Sequence, residues 1–95
     1  MRQRTIRFRR AARNDLFDLT KYSFETFGTR QTERYVRRIF AAIHQLAKFP
    51  YLGTKSKRSS LRIFPVMEHV VLYEIEFEYI EVVRIAPAKA LRKKL

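Results

Sequence analysis

Cysteine is absent from this 95-residue chain, and with it go disulfide bonds, thiolate zinc sites and cysteine nucleophiles. Histidine is scarce. His44 and His69 are the only two, so no histidine metal cluster is expected, and the chain reads as needing no metal and no cofactor. Glycine is equally rare, and its rarity decides the one loop that resembles a phosphate cradle. Tyr51 to Arg58 (YLGTKSKR) holds Gly53 and three cations, but it lacks a second glycine and a strand-to-helix context, which excludes a P-loop. Long apolar runs are missing too. No segment approaches the roughly 20 residues of a membrane span, and the basic start MRQRTIRFRR leads into no signal-peptide core. The expectation is a soluble, cytoplasmic protein without a membrane partner.

Acid is the last scarcity: nine Asp and Glu face 21 Lys and Arg, a net charge of +12. Residues 1–14, 34–67 and 82–95 contain no acid at all. Five of the nine acids, Glu68, Glu74, Glu76, Glu78 and Glu81, fall instead in the strand-rich region. The helical layer, the loop before the sheet and the tail should therefore form a cationic surface. Such a surface suits nucleic acid, a ribosome or an acidic protein segment.

With 46% hydrophobic and 14% aromatic residues, the chain can build one small core, so residues 1–95 are expected to form a single domain ending in a basic tail, 87–95. The densest β-branched and aromatic stretch is residues 59–86 (SSLRIFPVMEHVVLYEIEFEYIEVVRIA), too long for one strand and so folded on itself. Pro65 is expected to make the first break and Glu76-Phe77-Glu78 the second. That leaves three strands, with Arg84 expected on the face of Val82. Upstream, Ile6 and Phe8 alternate with Arg7 and Arg9 as a short strand. A helix is predicted from about Ala11 to Phe27, with Ala12, Leu16, Leu19 and Ser23 on its core face. Its acids Asp15 and Asp18 should complement the helix dipole, and Phe17 and Phe24 should pack on the next helix. Gly28 ends it and Thr29 is expected to cap a second helix, about Arg30 to Phe49, stopped by Pro50. Tyr35, Val36, Ile39, Ile43 and Leu46 form the apolar stripe of that helix, while Arg30, Arg34, Arg37, Arg38 and Lys48 repeat on its other side. The fold class is thus α+β, an N-terminal strand, an antiparallel helix hairpin and a three-stranded antiparallel sheet (β-α-α-β-β-β).

The A-xx-DL-xx-L-xx-Y start (Ala12, Asp15-Leu16, Leu19, Tyr22), the F-P-x-L-G turn (Phe49-Pro50, Leu52-Gly53) and the LRIFPV…HVVLYEIE…IEVVRI segments together resemble the RelE/ParE toxin superfamily, and ParE-type toxins above all. The resemblance covers nearly the whole chain. It implies the toxin of a type II toxin–antitoxin system, of the plasmid-stabilisation kind, assembled with a cognate acidic antitoxin in a hetero-oligomer. ParE-type members act on DNA gyrase; RelE-type members cut messenger RNA on the ribosome. A basic nucleic-acid-binding module without toxicity is a third reading.

These readings assign residues. Antitoxin or polyanion binding falls to Arg34, Arg38, Arg58, Arg62 and Arg84. Contact with the target falls to the tail, Lys89, Leu91, Arg92, Lys93, Lys94 and Leu95. For the ribonuclease alternative, Arg62, Arg84 and Lys89 would hold a phosphate while His69 moves a proton. The absence of Tyr or His after Tyr79 argues against that chemistry, leaving no catalytic residue under the gyrase reading. As structural elements, Arg62 and Arg84 would instead pair with Glu74 or Glu81 across strands.

Overall fold

The structure, a computed structural model, describes residues 3–93. Its elements run β1 (Thr5–Phe8), α1 (Arg10–Phe27), α2 (Thr29–Lys48), β2 (Thr54–Lys55), β3 (Arg62–Val66), β4 (His69–Ile75), β5 (Tyr79–Pro87) and α3 (Ala88–Lys93). The α+β class and the element order agree with expectation, but the sheet is larger and mixed. Five strands are ordered β1-β5-β4-β3-β2, with β1 parallel to β5 and the other pairs antiparallel. The helix hairpin acts as the crossover between the parallel strands β1 and β5, a connection that a tight turn cannot make. The fifth strand, β2, comes from the cationic loop, too short for its two residues to leave a pattern.

One face of this sheet carries Val71, Tyr73, Ile80, Val82 and Ile85, all buried beneath Ala12 and Leu19 of α1 and Ile39, Ile43 and Leu46 of α2. The helices meet through a single residue. Gly28, at φ 85°, donates its N–H to Phe24 O to close α1 and starts α2 without a side-chain cap. Thr29 is therefore not the cap; it is the first residue of α2. Thr32 does related work one turn later, its Oγ1 donating to Gly28 O and lying 2.9 Å from Ser23 Oγ between the helices.

Three expectations fail for local reasons. Pro65 does not break the strand: it sits within β3 opposite Val70, and the turn falls at Met67 and Glu68, Met67 taking φ 57°. Proline is tolerated because β2 pairs only with Arg62 and Ile63, so the outer edge of β3 beyond them needs no N–H. Strict alternation also fails in β5. Tyr73 faces Val82 but Leu72 faces Arg84, so Val83 is a bulge and Arg84 passes to the face opposite Val82. Phe17 and Phe24, finally, are 69% and 56% exposed rather than packed between the helices. The turn at Phe77 and Glu78 is where the charge density placed it, closed by Glu76 N–H donating to Tyr79 O.

Tyr73 shows how tightly this core is determined. Its buried hydroxyl donates to Pro50 O at 2.6 Å and accepts from Gly53 N–H at 2.9 Å, joining the end of α2 to the sheet. Gly53 must lack a side chain, because a Cβ there would lie 2.7 Å from that hydroxyl and 2.9 Å from Ile63 O. Tyr73→Phe strands a buried carbonyl and a buried N–H and should cost about 1–3 kcal/mol in urea denaturation. Gly53→Ala should cost more than Tyr73→Phe, since the tyrosine and the strand backbone must both move; a milder effect would show that the loop relaxes freely.

Candidate functional site

The cations of this chain divide by whether they have an internal partner. On the sheet most do. Arg9 bridges Glu74 at 3.1 Å and Glu81 at 3.5 Å, and Ser60 Oγ donates to the second Glu74 oxygen at 2.5 Å. Arg84 forms a fork on Asp15, at 2.7 and 3.0 Å, while Asp15 also accepts the Ile85 N–H at 2.9 Å. This Asp15 lies in the second turn of α1, not the first, so its role is to clamp α1 to β5 rather than to complement the dipole. Burial would raise its pKa, but the bonds from Arg84 and Ile85 outweigh that and hold it below the usual carboxylate value. Arg62 donates to Gly53 O at 2.6 Å and lies over the Tyr51 ring. Neither Arg62 nor Arg84 pairs with Glu74 or Glu81, because Arg9 already holds both.

On α2 the situation reverses. Arg30, Arg34 and Arg38 stand at four-residue spacing along one face and line an open groove of about 450 Å³ with Phe27, Gln31, Tyr35 and Met67. No ion pair engages any of the three among the described residues; Arg38 Nη1 lies 3.9 Å from Met67 Sδ. Phe27 and Met67 are 54% and 41% exposed, so the groove has apolar as well as cationic walls. Behind it Tyr35 Oη lies 2.7 Å from His69 Nδ1 and accepts the Glu68 N–H at 3.3 Å. Burial is the main cause that pushes the His69 pKa down, against opposing charge from Glu68 and Asp15, and burial also pushes Tyr35 up. Both shifts favour the neutral forms of the two side chains that share this hydrogen bond.

Of the residues the sequence proposes for binding anions, the fold brings Arg34 and Arg38 together and scatters Arg58, Arg62 and Arg84. The proposed ribonuclease residues do not converge. Arg62 faces Tyr73 and His69 faces Pro87, four residues apart along β4, which is about 13 Å at the usual rise. Arg84 is turned away by the bulge and held by Asp15. Lys89 is exposed on α3, whose start is tied down by Ala88 N–H donating to Glu68 O. Leu91 is half-buried; Lys94 and Leu95, and the side chains of Arg92 and Lys93, lie outside the described residues. Sequence reasoning missed Asp15 as a clamp and Tyr35 as the partner of His69. A polar residue on a core-facing helix stripe was the available signal for each. Among the described residues no group of histidines and acids is placed to hold a metal, and no helix is long and apolar enough to cross a membrane.

The Asp15 and His69 shifts work in the same direction below neutrality. His69, depressed from 6.5, makes the unfolded chain take up a proton first as pH falls, so stability should decline below about pH 6.5. Asp15, depressed from 3.8, contributes stability above that value that is lost as pH falls through its folded pKa. Melting temperature against pH should therefore show two steps. His69→Gln should flatten the upper step, and Asp15→Asn the lower, while lowering stability at neutral pH.

Comparison with known proteins adds the ancestry of this arrangement. The family model described as the ParE toxin of the type II toxin–antitoxin system parDE matches residues 6–91. Toxin ParE1 of Caulobacter vibrioides is 31% identical over 81 residues, 83% of each chain. The chromosomal ParDE TA system from P. aeruginosa contains a chain of the same fold, with a TM-score of 0.80 at 15% identity, covering 92% of this chain and 98% of that one. A chain of the RelBE2 toxin–antitoxin complex from Mycobacterium tuberculosis superposes with a TM-score of 0.70 at 19% identity, covering 90% and 98%.

Proposed function

The chain belongs to the ParE toxin family of type II toxin–antitoxin systems, and from that premise we propose that it acts in the cytoplasm by arresting DNA gyrase on cleaved DNA. The observation that carries this choice over messenger RNA cleavage is the dispersal of Arg62, His69 and Arg84. In-line cleavage of a phosphodiester needs base, acid and cations within hydrogen-bond reach of one phosphate, and a backbone offset of about 13 Å along β4 between the positions of Arg62 and His69 favours binding over that chemistry. What supports a binding mechanism instead is the contrast between Arg9 and Arg84, which pair with acids of the chain, and Arg30, Arg34 and Arg38 of α2, which have no ion pair among the described residues.

Neutralisation by an acidic antitoxin segment follows from the same charge pattern. The net +12 speeds encounter, and the exposed Phe17, Tyr22, Phe24 and Phe27 of α1 offer apolar anchors that hold the complex. The neighbours of known structure include a ParDE system and a RelBE2 toxin–antitoxin complex, which fits a hetero-oligomer here. In that assembly the antitoxin would hold the toxin inactive, the behaviour expected of a plasmid-stabilising pair. The segment Lys89 to Leu95 is the part we assign to the target, because its sequence carries four cations and no acid.

Purified protein should inhibit gyrase supercoiling and accumulate gyrase-linked, cleaved DNA, and added antitoxin should reverse both. Lys89→Ala, at an exposed position, should weaken inhibition severalfold with unfolding nearly unchanged, whereas Leu91→Ala, at a half-buried one, should weaken inhibition and lower stability together. Codon-specific cuts in ribosome-bound message with gyrase untouched would reverse the assignment in favour of a RelE-type activity. An induced protein that neither slows growth nor affects either target would point to the non-toxic nucleic-acid-binding module.

A further inference from the structure

Among the described residues the arginines fall into two populations, those with a carbonyl, carboxylate or ring of the chain as partner and those without, and of the second group (Arg10, Arg30, Arg34, Arg37, Arg38 and Arg58) only Arg30, Arg34 and Arg38 line the groove together. Arg4, Arg9, Arg13, Arg62 and Arg84 each donate to a carbonyl or carboxylate of the chain itself, and Arg7 lies over the Tyr79 ring at 4.1 Å. Among the described residues Arg30, Arg34 and Arg38 do none of this, although Glu33 lies on the same helix. Holding three like charges at four-residue spacing is unfavourable for an isolated helix. Such a row is free to engage a partner outside the chain.

We infer that Arg30, Arg34 and Arg38 form a phosphate-binding row that lies along the backbone of double-stranded DNA. The helix rise sets the guanidinium stems about 6 Å apart, and about 12 Å end to end. One strand of a duplex presents a phosphate roughly every 3.4 Å of axis, and because the strand climbs obliquely round that axis its successive phosphates are farther apart than this, so each arginine meets about one phosphate of a strand running along α2. The guanidinium fork suits this ligand, since it engages two phosphate oxygens at once. Gln31, on the same groove wall, adds a neutral donor.

An acidic protein segment is the competing occupant, and the groove is poorly built for it. Helical segments bind through a line of apolar anchors at i, i+3 or i+4, and i+7. Here the apolar walls are Phe27 at one end and Met67 beside Arg38, with the hydroxyl of Tyr35 already engaged by His69. A phosphate backbone needs no such line. The choice of DNA among nucleic acids rests on the gyrase reading, in which cleaved DNA is present at the target; the arginine row does not rest on it. The row would let the toxin hold the DNA that its target holds, beside whatever contact the tail makes with the enzyme.

The test uses the full chain alone, without gyrase. Fluorescence anisotropy of a labelled random-sequence duplex is followed across a salt series, and the slope of log K against log salt is read. Arg30→Ala, Arg34→Ala and Arg38→Ala combined should reduce that slope by roughly 2–3, at about 0.9 for each phosphate left without its arginine. A charge-matched control at exposed lysines, Lys21→Ala, Lys55→Ala and Lys57→Ala, should reduce it by less than about 1, as a net-charge effect alone. Circular dichroism and thermal unfolding confirm that both variants fold. Equal slopes for the two variants would overturn the inference, because charge and not the row would then explain binding. So would a row variant that keeps its DNA affinity but no longer binds a glutamate-rich amphipathic peptide, which would make the row a protein dock. In a parallel gyrase assay, wild-type inhibition with no row-dependent DNA binding sinks the inference and leaves the gyrase reading intact. Row-dependent DNA binding without gyrase inhibition supports the inference and removes the gyrase reading.

Discussion

Strand β5 outruns its parallel neighbour, and much of the structure follows from how that overhang is satisfied. Strand β1 covers β5 only from Tyr79 to Val82, which leaves the N–H of Ile85 at an open edge. Asp15 meets it from α1, and the same carboxylate receives the Arg84 fork. One side chain therefore does three things: it ends an exposed ladder, fixes the seating of α1 on the sheet, and neutralises a cation that the bulge at Val83 has turned outward. A carboxylate that accepts three N–H bonds in a half-buried position has its protonation suppressed, so the clamp stays ionised far below neutral pH.

This clamp also explains why some of the fold was legible in the sequence and some was not. Period-3.6 stripes identified α1 and α2 because each lays one apolar face on the sheet, so Ile39, Ile43 and Leu46 are buried as their spacing requires. Alternation identified β4 for the same reason. A bulge leaves no trace in such a pattern, since it depends on which residue a neighbouring strand opposes, and Arg84 was accordingly assigned to the wrong face. Pairing direction is likewise a property of the assembled chain: Ile6 and Phe8 mark β1 as a strand but do not say that it runs parallel to β5. Phe17 and Phe24 were misplaced because hydrophobicity predicts burial in something, and in this chain alone they have nothing to be buried in.

The anionic partners of Arg62 and Arg84 were misassigned for a different reason. Glu74 and Glu81 are opposed cross-strand neighbours, and two like charges facing each other attract whichever cation arrives between them. Arg9, at the exit of β1, reaches both, and its position follows from the parallel pairing that the sequence did not reveal. With those acids taken, Arg84 turns to Asp15 and Arg62 to the Gly53 carbonyl. Arg30, Arg34 and Arg38 of α2 have no ion pair with these acids or any other among the described residues.

The parallel pair of β1 and β5 has a consequence for how the chain is born. Thr5 finds its neighbour only at Tyr79 and Phe8 only at Val82, so the first strand made waits for the last one. Contacts this distant in sequence are slow to form, and a chain still emerging from the ribosome has nothing for β1 to pair with. The helix hairpin can assemble early from local contacts, but its apolar stripe then has no finished sheet beneath it. Synthesis thus leaves the sheet without its parallel edge until β5 has been made, and the surface a partner would recognise is completed only then.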